Sequence, residues 1–172
     1  MTAAAHRLLR RCRLTARCCC APLVHYATAQ PVHSLQSPLL YQLYCSAIAP
    51  RLPHRLRRRL PAPRRYYALL LKTADYLGAL SLTVCADADA AAAIARCTGL
   101  PTHHVESSQP LCIMHLPDNR RAVVIAHPER NGRSLLCWQS LQQHYPVSLL
   151  LGYAALLLSG FPTAPQHHRL RG

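Results

Sequence analysis

Apolar and polar positions fall into short, well-bounded patterns through the middle of the chain. In QPLCIMHLPDNRRAVVIAHPE (109–129), the mostly apolar run Leu111–Leu116 meets Pro117-Asp118-Asn119-Arg120, and a second run, Arg121–His127, follows. Two such runs around a four-residue turn predict a β-hairpin. Leu80–Cys85 alternates, with Leu80, Leu82 and Val84 on one face, which is the period of a strand. Tyr66–Leu77 (YYALLLKTADYL) is built from helix formers and stops at Gly78. Asp87 precedes the alanine-rich Ala88–Cys97, which ends before Gly99 and Pro101, so a short capped helix is predicted. Ser134 opens a further helix, Leu135–Tyr145. Leu135, Trp138, Leu141 and Tyr145 share one of its faces, glutamines occupy the other, and Pro146 closes it.

The flanks are less regular. Leu39–Cys45 (LLYQLYC), rich in aromatic and apolar residues, predicts a strand. Residues 49–65 (APRLPHRLRRRLPAPRR) combine prolines with arginines and predict an extended or looping segment outside the core. Pro101–Gln109 is expected to be a loop. Val147–Phe161 (VSLLLGYAALLLSGF) is an uninterrupted apolar run between Pro146 and Pro162. As a helix it would span about 22 Å, short of the roughly 30 Å hydrocarbon core of a bilayer. A helix buried in protein or against a partner is therefore expected in preference to a membrane span. The order of strand, helix, strand, short helix, hairpin and helix defines an α/β (α+β) class with the thioredoxin-like topology: a small mixed sheet with covering helices.

Charge changes this picture at the N-terminal side. The chain carries 20 basic residues against 6 acidic ones, a formal net charge of +14. Lys72 is its single lysine, a bias that also fits a GC-rich genome. The first carboxylate is Asp75, and no Lys, Arg, Asp or Glu occurs from Ser134 to His168. Arginine binds phosphate through a planar fork and stays charged. Such a balance implies a polyanion, an anionic membrane or a targeting segment as its target. The first thirty residues, with arginines at 7, 10, 11, 13 and 17 among small or apolar residues and no acid, have the composition of a mitochondrial transit peptide. A basic, disordered N-terminal extension is expected there. Cleavage after Tyr26 or after Tyr67 fits the flanking residues, and the pattern does not choose between them.

Candidate chemistry is sparse. Nine cysteines occur without any Cys-x-x-Cys, and three are consecutive (Cys18, Cys19, Cys20), so reduced thiols in a reducing compartment are expected. Cys45, after the first expected strand, stands where thiol–disulfide chemistry would place its nucleophile, but it has no resolving partner nearby. His103-His104 and His167-His168 lack a neighbouring carboxylate or cysteine set and are expected in a loop and a tail. Asp87 and Asp89 are explained by helix capping. No phosphate-binding glycine loop and no nucleophile elbow occurs. A non-enzyme without cofactor, metal or small-molecule substrate is expected. The arginines are more informative. Arg51, Arg55, Arg57, Arg58, Arg59, Arg64 and Arg65 form one group; Arg120 and Arg121 flank the hairpin turn; Arg130 and Arg133 follow it. RNA gripped through its phosphates is the expected ligand of all three groups, with Tyr66 and Tyr67 stacking on bases.

The string LLYQLYC, YYALLLKTADYLGALSLTVCADAD, QPLCIMHLPDNRRAVVIAH and LLCWQSLQQH resembles the thioredoxin-like proteins of the mitochondrial ribosome, most nearly the protein-fifty-three family of its large subunit. The resemblance covers about residues 39–145, with residues 46–65 as an arginine- and proline-rich insertion and 146–172 as a C-terminal extension containing the apolar helix 147–161. It implies a non-catalytic matrix protein seated on mitochondrial rRNA and neighbouring mitoribosomal proteins, without redox cysteines. The competing expectation is an accessory subunit of an inner-membrane respiratory complex, with Val147–Phe161 as a short span or interfacial helix.

Overall fold

A computed structural model describes residues 29–31, 35, 37–130 and 132–170. The expected targeting segment falls outside them but for Ala29 and Gln30. The first element is a helix, α1 (Pro38–Leu43), continued by a π-helical turn, Tyr44–Ile48. This corrects the strand expected at Leu39–Cys45. Ser37 accepts a hydrogen bond from the Leu40 backbone N–H, and Pro38 occupies the first turn, where its missing N–H costs nothing. Leu40, Leu43 and Ala47 then recur at intervals of three and four and face the core together.

Two helices follow, α2 (His54–Arg58) and α3 (Arg64–Leu77). Gly78, at φ 64°, ends α3 in the left-handed conformation that glycine adopts freely. Strand β1 (Ser81–Ala86) leads to α4 (Ala88–Thr98), whose first turn is capped by the Asp87 carboxylate accepting from the Ala90 N–H at 2.8 Å. The expected loop after α4 contains a strand, β2 (Thr102–Glu106), running parallel to β1. The hairpin is present as β3 (Leu111–His115) and β4 (Arg121–Ala126). Asp118 and Asn119 turn the chain between them at φ 58° and 57°, a region these two residues tolerate. Helix α5 (Gly132–His144) follows.

Val147–Phe161 is not a helix but a second hairpin, β5 (Val147–Leu151) and β6 (Ala154–Ser159), turning at Gly152-Tyr153. Both strands are buried on both faces. A strand in that position has no need to alternate, so its apolar run imitates a helix segment. β7 (Gln166–Leu170) runs parallel to β5. No helix among the described residues is long and apolar enough to cross a membrane. The span on which the respiratory-complex expectation rested is therefore a pair of sheet strands.

The seven strands form one mixed sheet in the order β2-β1-β3-β4-β6-β5-β7. Residues 147–170 are thus hydrogen-bonded into the sheet through β4 and β6 instead of being appended as a helical extension. One face of the sheet, including Leu82, Val84, Met114, Val124, Leu149 and Leu156, packs against α1, α3 and α4. On the other face, Val123, Ile125, Leu150 and Leu157 meet Leu135 and Trp138 of α5, and Leu141 and Tyr145 pack at the edge of that cluster. The face of α5 that the sequence marked as apolar is the face it buries.

Candidate nucleic-acid interface

Arg51, Arg55, Arg57, Arg58, Arg59, Arg64 and Arg65 are all exposed. The segment carrying them is nevertheless held to the domain. Leu60 is buried, Leu52 and Leu56 pack partly against the core and His54–Arg58 is helical, correcting the expectation of an extended or looping segment outside the core. Leu52 and Leu56 line a cavity of about 340 Å³ together with Leu71, Lys72, Asp75 and Gly78 at the C-terminal end of α3 and Cys97 and Leu100 at the end of α4. Arg64 and Arg65 stand at the other end of α3, which at 1.5 Å per residue is about 21 Å long. The arginines of this segment are exposed on either side of Leu52, Leu56 and Leu60, the apolar side chains that hold it to the domain.

The single lysine has an internal duty that the sequence did not announce. The Lys72 Nζ donates to the carbonyl oxygens of Ile48 (2.6 Å) and Pro50 (2.8 Å). It thereby satisfies the end of the π-helical turn immediately before Arg51. Burial lowers its pKa.

Tyr66 and Tyr67 do not present rings to a ligand. Each is about 1 % exposed, the pair meets edge to face at 4.7 Å, and the Tyr66 hydroxyl donates to the Val124 carbonyl at 3.3 Å. Burial pushes the Tyr66 phenol well above its usual range, and burial together with Asp87 pushes Tyr67 up to about 12. Base stacking on these rings is excluded by their position. The helical spacing of Tyr66, Leu69, Leu70 and Thr73 already carried that signal.

The hairpin arginines separate from the others. Arg120 is engaged within the turn: its Nε donates to the Pro117 carbonyl at 3.1 Å, its Nη2 pairs with Asp118 at 3.3 Å, and its guanidinium lies 5.2 Å from the Phe161 ring centre. Gly160, at φ 80°, leaves room for this, since a Cβ there would come 3.0 Å from Arg120 Cγ. Arg121 is exposed and acts on the Tyr145 phenol, opposing the rise that burial causes. Six strand residues, about 20 Å, separate this end of β4 from His127. Arg130 and Arg133 are exposed beyond that far end, and Arg130 joins burial in lowering the His127 pKa.

Arg64 and Arg65 share a cleft of about 650 Å³ with His127, Tyr153 and the segment Leu60–Pro63. The α3 arginines and the Arg130 region thus converge at one end of the sheet, while Arg120 and Arg121 mark the opposite end. Arg169, outside the predicted set, is bound by Glu129 at 2.9 and 3.4 Å.

The remaining candidates occupy structural positions. His103 and His104 are on β2, where His104 Nε2 lies 3.0 Å from the Ala86 carbonyl and 3.5 Å from Glu106. His167 and His168 are on β7, with His167 Nδ1 2.8 Å from the Ser148 hydroxyl. Strands therefore replace the expected loop and tail. Among the described residues no group of three or more His, Cys, Asp or Glu is arranged to hold a metal ion. Cys45 lies in the π-helical turn, away from the helix start that would favour a thiolate. Burial raises the pKa of Cys85, Cys112 and Cys137. No family model, no curated protein and no solved structure matches the chain.

Proposed function

We propose that the protein is a non-catalytic structural component of the mitochondrial large ribosomal subunit, working in the matrix without a cofactor. Its exposed arginines neutralise rRNA phosphates, and its remaining surface packs against neighbouring mitoribosomal proteins. The observation that carries this is the run of exposed arginines from Arg51 to Arg65, held to the domain by Leu52, Leu56 and Leu60 in a part of the chain without a carboxylate before Asp75. Polyanion binding is what such a row does best, because each arginine neutralises a phosphate and releases counterions.

The thioredoxin-like reading is supported by one half of the sheet. β1, α4 and β2 make a parallel β-α-β unit, β3 and β4 continue antiparallel on the other side of β1, and α5 covers them. In that reading the β-α-β unit lies at residues 81–106, one helix later than the sequence pattern suggested. Ultraviolet crosslinking in intact mitochondria tests the proposal. Large-subunit rRNA crosslinked to peptides covering Arg51–Arg65 is the expected product; crosslinks confined to other RNAs, or none, would refute it.

A further inference from the structure

The cleft at the start of α3 combines two kinds of surface. Leu60, Pro61, Ala62 and Pro63 supply an apolar lining, and Arg64, Arg65, His127 and Tyr153 border the same space. At about 650 Å³ it has the size of a small-molecule pocket. Its parts are fixed from several directions. Leu60 is anchored in the core. The His127 N–H donates to the Tyr153 carbonyl at 2.9 Å, and the His127 carbonyl accepts from the Arg130 N–H at 3.0 Å. His127 holds φ 42°, a left-handed conformation found mainly in glycine and, among residues with side chains, in asparagine, aspartate and histidine. Neither Arg64 nor Arg65 forms an ion pair with a carboxylate among the described residues. Two planar, five-donor forks beside an apolar lining match a flat ring that carries a phosphate. They match a bare inorganic ion less well, because the lining then stays wet.

We propose that this cleft binds a single nucleoside phosphate, with its base against Leu60–Pro63 and its phosphate held by Arg64 and Arg65. The nucleotide is either free or part of an RNA strand. Only the RNA source rests on the ribosomal reading above.

The test uses the full chain and calorimetric titration with adenosine 5′-monophosphate, adenosine and inorganic phosphate in low salt. The monophosphate is expected to bind at least about tenfold more tightly than either fragment. The double variant Arg64→Gln/Arg65→Gln is expected to weaken it by about tenfold or more, with an unchanged melt because both side chains are exposed. Competition by a 5′-phosphorylated single-stranded RNA assigns the site to RNA; monophosphate binding without competition assigns it to a free nucleotide. Monophosphate binding no tighter than phosphate, or undiminished in the double variant, overturns the proposal. Long-RNA affinity of the Arg55→Gln/Arg57→Gln/Arg58→Gln/Arg59→Gln variant reports on the broader reading separately. That affinity can stay unchanged while the cleft still binds the monophosphate, and the reverse can equally occur.

Discussion

Replacing Arg55, Arg57, Arg58 and Arg59 together by glutamine should remove four phosphate contacts without disturbing the domain. All four side chains are exposed, while Leu52, Leu56 and Leu60, which hold the segment, stay in place. Glutamine and arginine have similar helix propensities, so the change in folding stability should stay within about 0.5 kcal/mol. For single-stranded RNA each neutralised phosphate contributes about 0.7 to the slope of log affinity against log salt. Four fewer contacts should therefore flatten the slope by about 2.8. Between 50 and 200 mM salt the unaltered protein would then lose about fifty-fold more affinity than the variant. Filter binding of a labelled large-subunit rRNA fragment across that salt range, with thermal melts alongside, measures both quantities. An unchanged slope with an unchanged melt would refute the assignment of this segment to phosphates. A collapsed melt would refute the claim that the arginines stand clear of the core.

Three further outcomes are expected. Gly160→Ala should destabilise the fold by about 1–3 kcal/mol in chemical denaturation, because φ 80° and the contact with Arg120 both oppose a side chain. Gly78→Ala, with a positive φ but nothing within 4 Å, should cost less, and equal effects would contradict the packing argument. Burial lowers the pKa of both His127 and His168, so unfolded imidazoles take up protons at a higher pH than folded ones. Stability should therefore fall as pH drops through about 6.5, and His127→Asn, which tolerates the left-handed backbone, should reduce that fall. Melts that do not change between about pH 7.5 and 5.5 would oppose this. Cleavage after Tyr67 would remove α1, α2 and the buried Tyr66 and Tyr67. Mass spectrometry of the mature protein should therefore find a start before α1, and a start at Ala68 would contradict the role of these elements in the core.

Elements whose signals are local were legible in the chain. The β3–β4 hairpin followed from its Pro-Asp-Asn turn, α3 from its glycine stop, α4 from Asp87 and Gly99, and α5 from the spacing of Leu135, Trp138 and Leu141. Elements whose environment depends on distant partners were not. β2 is an exposed edge strand, so its polar THHVE shows no alternation. β5 and β6 are buried on both faces, so their run shows none either. At α1 the aromatic content of LLYQLYC pointed to a strand, whereas Ser37 and Pro38 open a helix there. The candidate arginines are exposed except Arg120, which is committed to Phe161 some forty residues away. No local pattern contains that contact. Tyr66 and Tyr67 were expected to stack on bases, although their helical spacing with Leu69, Leu70 and Thr73 marks the inner face of α3.

The most direct test of the ribosomal role is sucrose-gradient sedimentation of the tagged protein from a mitochondrial lysate, with and without EDTA. The protein is predicted to travel with the ribosome in magnesium and to remain with the large subunit when EDTA separates the particles. Sedimentation with a detergent-solubilised membrane complex, or at the top of the gradient, indifferent to EDTA, would contradict that role.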